Sequence, residues 1–346
     1  MLDLTQWPFI EAGTYNNVYI SDKEYTIEGH TCRWVFKQPK KKCLDHGYEI
    51  NTALNDPERA LRKWRLINPT YPAWAIKDGW IAPYLGITSQ KIKCASDKQI
   101  SEKIILIYQA TGNIIIDACG LNNFLVSGDD VVCIDVDLAL QQDSDASESA
   151  FKSIVCQPHF DNYLLNKSRI PNKKNTVEVI KTLLYLDREA CDFELKKQHI
   201  TVKMIDILHV FRETKASLTA STMNMLWQVI QLDPHGEINN RDITPELIMH
   251  LEIQQENNIH ITQKSVTQLI QYETTRKQQA SIANAFLSLC DILPTHDQTL
   301  LQTFSSNASS GPSTSDLGVF QNRIKKRHTE ASDMPETPEK IASLSR

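Results

Sequence analysis

Asp117, Asn123 and Asp135 bracket a short apolar hairpin in the stretch "IDACGLNNFLVSGDDVVCIDVDLAL", with Asn122 as an alternative to Asn123 and Asp137 just beyond Asp135. Carboxylate and amide oxygens are the hard ligands that Mg²⁺ prefers, and an Asp that ends an apolar strand is held on rigid backbone. Phosphoryl transfer needs a flexible turn over the phosphates, a cation on them and an anion to orient that cation. It also needs metal ligands and a carboxylate near the attacking hydroxyl. Candidates for all five follow one another along the chain. Gly13 in "EAGTYNNVYI" lets backbone approach a phosphate, and Val18 after it can lie over an adenine. Lys37 stands on a strand in "RWVFKQP", Glu58 opens the next helix, and Glu49 competes with it for Lys37.

Each residue alone has an ordinary reading. A glycine before a strand makes a turn, a strand-end lysine snorkels to water, and a glutamate in a first helical turn complements the dipole. Asn beside a turn is equally common. Their occurrence together, in the order required by the chemistry, is much less common.

The elements that must position them can be read from pattern. "TYNNVYISD" and "TCRWVFKQP" alternate apolar and polar residues and predict strands joined by a loop at Glu28-Gly29. "NDPERALRKWRLINP" predicts a helix capped by Asn55 or Asp56, with Pro57 at its first position and Pro69 beyond its end. "AWAIKDGWIAPYLG" predicts two short strands about Asp78-Gly79. "SDKQISEKIILIYQATG" predicts a helix capped by Ser96 or Asp97, and the Asp117–Asp135 stretch predicts a hairpin turning at Gly128-Asp129. From about 175 to 300 nearly every segment has the helical period. After 304 the composition falls to Ser, Thr, Pro, Asn and charge, which cannot bury enough surface to order a tail. The fold class expected is therefore α+β: a β-rich N-terminal lobe over 1–88, a mostly helical lobe over 89–303 with the hairpin region 114–140 at its entrance, and a tail over 304–346.

Composition narrows the function classes. The chain has 346 residues, 41% of them hydrophobic and 23% charged, which suits a globular protein with a sizeable core. A net charge of −5 gives no general attraction to nucleic acid. The eight cysteines form no C-x-x-C pair and read as reduced thiols rather than a disulfide frame or zinc site. No secretory leader and no spanning helix are expected.

These motifs resemble the protein kinase-like fold, in the divergent form seen among type IV secretion effectors of intracellular bacteria. "GTYNNV" is similar to the second half of a glycine-rich loop, "VFK" to the strand-three lysine motif and Glu58 to the helix-C glutamate. "IDACGLNNFLV" is similar to the catalytic loop and "CIDVDLA" to the Asp-Phe-Gly segment. The resemblance covers about residues 10–140 and implies an ATP- and Mg²⁺-dependent phosphotransferase. Asp117 would be the catalytic base, Asn123 and Asp135 the metal ligands, Lys37 the phosphate contact, Glu58 its partner, and Gly13 and Val18 the nucleotide cover. It also implies an acceptor hydroxyl on a host protein or an inositol lipid, peripheral membrane contact at most, and passage from the bacterial cytoplasm into the host cell. The tail segments "NASSGPSTSD" and "EASDMPETPEKIASLSR" suit a C-terminal export signal, whereas "RIKKRH" (323–328) reads as a solvated charge run, with nuclear import or anionic-lipid contact as alternatives. The chain departs from the pattern in several places. Ile115 and Ile116 replace the His-Arg pair, Asp117 stands one residue further from Asn123 than usual, Asp137 replaces glycine, and no Ala-Pro-Glu motif follows. These departures make a pseudokinase binding module, or another nucleotide-dependent transfer on the same scaffold, the alternatives.

Overall fold

The structure is a computed structural model and describes residues 4–12, 16–40, 43–45, 48–50, 56–86, 94–119, 123–141, 173–190 and 200–292, with single positions at 155, 159, 160, 162, 164 and 197. Gly13, Asn122, the Glu49 side chain and the tail lie outside them. The described residues form a mixed α+β fold with a five-stranded antiparallel sheet and seven α-helices. The chain divides into two units, Met1–Ile270 and Gln271–Arg346, and the elements that position the candidate site all belong to the first.

The strands are β1 (Phe9–Ala12), β2 (Asn16–Ile20), β3 (Tyr25–Ile27), β4 (His30–Cys32), β5 (Trp34–Pro39), β6 (Cys43–Asp45), β7 (Tyr48–Ile50), β8 (Trp74–Ile76) and β9 (Gly79–Pro83). The main sheet runs β1-β2-β5-β9-β8. Its register sorts the side chains by face, because residues directly opposite share a face and successive residues alternate. Val18, Lys37, Trp80 and Ala75 form one transverse row; Tyr19, Phe36, Ile81 and Trp74 form the next, on the other face. The second row joins Trp7 and Trp34 in an aromatic cluster that covers the outer face of the sheet. Trp80 and Ala82 of the inner face enter the main core.

The loop expected at Glu28-Gly29 is the turn of an additional hairpin, β3–β4, with both residues at positive φ. At the β8–β9 turn, Gly79 has a different reason to be glycine. A Cβ there would stand 2.4 Å from the Lys37 carbonyl oxygen and 2.4 Å from the Phe36 ring. Gly79→Ala is therefore expected to cost about 1–3 kcal/mol, measured by urea denaturation, and to shift the strand that carries Lys37.

Helix α1 (Pro57–Ile67) starts as its sequence dictates. Asp56 is the N-cap and accepts from the Glu58 N–H, and Pro57 takes the first helical position. The helix stops at Asn68, just before Pro69. Helix α2 (Asp97–Thr111) opens with a reciprocal capping box between Ser96 and Gln99 and ends on Gly112 in the left-handed region, where a side chain would be strained. Helices α3 (Lys174–Glu189), α4 (Val202–Glu213), α5 (Ala220–Leu232), α6 (Pro245–Glu256) and α7 (Gln263–Ile292) follow. The N-terminus of α3 has no side-chain cap of its own. Asp97 of α2 supplies one from outside, accepting from the Asn175 and Thr176 N–H groups at 2.9 Å each and from the Thr176 hydroxyl at 2.6 Å. Ile180, Leu183 and Leu186 of α3 are fully buried in the same core as Ile100, Ile104 and Tyr108 of α2. Each such side chain contributes on the order of 1.5–3 kcal/mol by leaving water. Among the described residues, no helix is long and apolar enough to cross a membrane.

Candidate active site

Two short ribbons lie between α2 and α3. Strand β10 (Ile114–Ile115) pairs with β13 (Ala139–Leu140), and β11 (Phe124–Ser127) pairs with β12 (Asp130–Cys133), turning at Gly128-Asp129. All four polar candidates lie just beyond strand ends in these ribbons. Asp117 follows β10, Asn123 precedes β11, Asp135 follows β12 and Asp137 precedes β13. Next to these residues the strands are apolar and buried, with Ile115, Cys133 and Ala139 fully inaccessible and Phe124 almost so. Burial thus fixes the strands, and the polar residues fall where the ladders release the chain.

Further hydrogen bonds draw these ends together. The Ile134 N–H donates to the Asn123 carbonyl at 2.9 Å, extending the β11–β12 ladder by one rung. Asn123 Nδ2 donates to the Asp117 carbonyl at 2.7 Å and to Asp117 Oδ2 at 3.2 Å, so Asn123 and Asp117 form one unit. The Asp137 N–H donates to Asp135 Oδ1 at 3.3 Å.

Among the described residues, two side chains of the sheet hydrogen-bond to this cluster. Lys37 Nζ donates to the Ile134 carbonyl at 2.9 Å and lies 4.0 Å from Asp135 Oδ1, an ion-pair separation rather than a hydrogen bond. It also sits over the Trp80 ring, 5.3 Å from its centroid. Val18, directly opposite Lys37 on β2, is half-buried on the same face. Asn16, further along that face, donates from Nδ2 to Asp137 Oδ2 at 2.6 Å.

Asp137 is buried, and burial, reinforced by the charge of Asp135, pushes its carboxyl up to about 6, while Lys37 and Arg59 oppose that shift. Burial likewise raises the Cys133 thiol well above its usual range, which leaves it an inert part of the core.

The structure does not bring Glu58 to Lys37. Glu58 is exposed on α1, and among the described residues the carboxylate within ion-pair distance of Lys37 belongs to Asp135. The reason is helical geometry, since successive residues are separated by about 100° around the axis. Ala60, Leu61, Trp64 and Ile67 bury one side of α1, and Glu58 lies with Arg62 and Arg65 on the other. The residues that point inward from α1 are Arg59 and Lys63. Arg59 donates to the Asp137 carbonyl at 3.0 Å, and Lys63 donates to Asn113 Oδ1 at 2.9 Å and to the Ala139 carbonyl. Sequence reasoning missed both, although they flank the apolar stripe one turn apart. It also missed Asn16 and Asn68, the latter donating to the Cys133 carbonyl at 2.8 Å.

The chain matches no protein-family model and has no significant match among curated proteins. The chemistry open to the site therefore rests on its own donor set. Asn123 Nδ2 is engaged with Asp117, which directs its Oδ1 elsewhere. Together with the Asp135 carboxylate, 32% exposed, this gives two hard oxygen donors. Among the described residues no group of three or more His, Cys, Asp and Glu could hold a metal without help. Two oxygens are as many as Mg²⁺ takes from a protein where phosphate and water complete its shell.

Proposed function

We propose that this protein is an ATP- and Mg²⁺-dependent phosphotransferase with a two-lobed, kinase-like build. In this build the five-stranded sheet with α1 forms the first lobe and the ribbons with the helices that follow form the second. The observation that supports it best is the meeting of Lys37 from the sheet with Ile134 and Asp135 from the ribbons, beside the Asn123–Asp117 unit. Lys37 would turn from the Ile134 carbonyl to the phosphates, and Val18 would cover the base. Asp135 and Asn123 would hold Mg²⁺, which when bound neutralises charge on the transferring phosphoryl group. Asp117, oriented by Asn123, would accept the proton of the attacking hydroxyl, so that the acceptor oxygen bonds phosphorus as the ADP oxygen leaves. The acceptor class proposed is a hydroxyl of a host protein or inositol lipid, reached after export from a bacterium.

A second reading is favoured by one specific contact. The Asn16–Asp137 hydrogen bond ties the sheet to the ribbons through protein groups alone, as a pseudokinase serving only as a binding module would do. Thermal denaturation with ATP separates the two. A ligand at a hundred times its Kd raises stability by about 2.7 kcal/mol. For the phosphotransferase, Mg-ATP is expected to raise the melting temperature of the wild type, and Lys37→Ala and Asp135→Ala are expected to abolish that rise. No rise in the wild type would favour the binding module, and the identity of the product would distinguish phosphoryl transfer from another nucleotide-dependent transfer.

A further inference from the structure

We infer that Arg59, rather than Glu58, is the residue of α1 that positions the metal-holding segment, and that it acts on Asp135 through residue 137. This rests on the phosphotransferase reading given above and adds to it the part of the sequence that sets the metal ligand in place.

Three side chains of α1 and its C-cap hold the chain on both sides of Asp135. Asn68 takes the carbonyl of Cys133, Arg59 that of Asp137 and Lys63 that of Ala139. Asp135 is thus strung between two carbonyls fixed from the same helix, and its Oδ1 is met by the N–H of Asp137, the residue that Arg59 holds. Arg59 is 3% exposed, so this bond is made away from competing water.

Glu58 cannot take this part by a change of rotamer. It stands about 100° around the helix from Arg59, so bringing it to that position would require more than a quarter-turn of α1. Such a turn would carry Leu61 and Trp64, both buried, to the solvent side. In this chain the helix is coupled to the metal-holding segment directly, by cations on backbone carbonyls, without a glutamate–lysine pair between them.

The test compares ATP binding in excess MgCl₂ with binding in EDTA, by calorimetry, for the wild type, Glu58→Ala, Arg59→Met, Asp135→Ala and the Arg59→Met/Asp135→Ala double variant. Groups that orient a metal ligand typically change metal affinity by about 10–100-fold. Arg59→Met is expected to weaken binding about tenfold in MgCl₂ and to leave binding in EDTA unchanged. Glu58→Ala should match the wild type in both, and the double variant should bind no more weakly than Asp135→Ala alone.

Arg59→Met with wild-type affinity in MgCl₂, or with equal loss in MgCl₂ and EDTA, overturns the inference and leaves the phosphotransferase reading standing. A wild type that binds no ATP in MgCl₂ overturns both. Should Arg59→Met fail to fold, Glu58→Ala and Arg59→Lys decide, because lysine keeps the charge but not the forked geometry. Loss confined to Arg59→Lys in MgCl₂ supports the assignment, and loss in Glu58→Ala overturns it.

Discussion

Trp80→Ala is expected to lower the stability of the protein by about 3–5 kcal/mol, read as a fall in the urea midpoint at nearly constant slope. Trp80 is fully buried, and its ring centroid lies 5.4 Å from that of Trp64, the other large aromatic between the sheet and α1. It also lies under the Lys37 ammonium, so alanine would remove core volume and one wall of the lysine's seat together. Trp80→Phe is expected to cost no more than about 1 kcal/mol. The indole Nε1 is buried with no acceptor among the described residues. A buried donor without a partner costs about 1–3 kcal/mol, and phenylalanine sheds that cost while keeping an aromatic face toward Lys37. A Trp80→Phe protein as unstable as Trp80→Ala would show that the indole itself, and not the volume of an aromatic ring, governs the position.

Lys63→Met is expected to cost about 2–4 kcal/mol, because two buried acceptors lose a charged donor while the packing of the stem is kept. Asn113 Oδ1 and the Ala139 carbonyl are those acceptors, one preceding β10 and the other in its partner β13. Amide hydrogen exchange in the β10–β13 ribbon should quicken accordingly, whereas exchange in α4 to α6, remote in the sequence from this bond, should change only through global stability. Unchanged exchange at Ile114–Ile115 would show that the ribbon does not depend on α1.

Much of this arrangement was legible where local rules and tertiary packing agree. Alternation marked β2 and β5 because both faces of the sheet are specified, one by Val18 and Lys37 and the other by Tyr19 and Phe36. Asp56-Pro57 and Ser96 marked their helix starts because capping is a local hydrogen-bonding problem. The meeting of Lys37 with Asp135 was not among the expectations, which paired Lys37 with Glu58 or Glu49, because no local rule relates residues so far apart in sequence. Glu58 was misplaced for a plainer reason. A charged residue in a first helical turn was weighed by its chemistry, while the stripe of Ala60, Leu61, Trp64 and Ile67 already assigned it to the solvent side. Arg59 and Lys63 escaped notice because buried cations are rare, and pattern reading sends them to the surface by default.

The bonds that Asn68, Lys63 and Arg59 make to residues 133–139 end on main-chain oxygens. A main-chain oxygen is the same whatever side chain it belongs to. Residues 133 to 139 can therefore exchange their side chains, within the limits of burial, and still be held in register by the same three donors. An alanine scan of 134, 136 and 138 should then disturb packing yet leave the path of the chain unaltered, whereas a single change at 59 or 63 should loosen several residues at once. The tolerance of this segment to substitution is set on the helix that grips it, not in its own sequence.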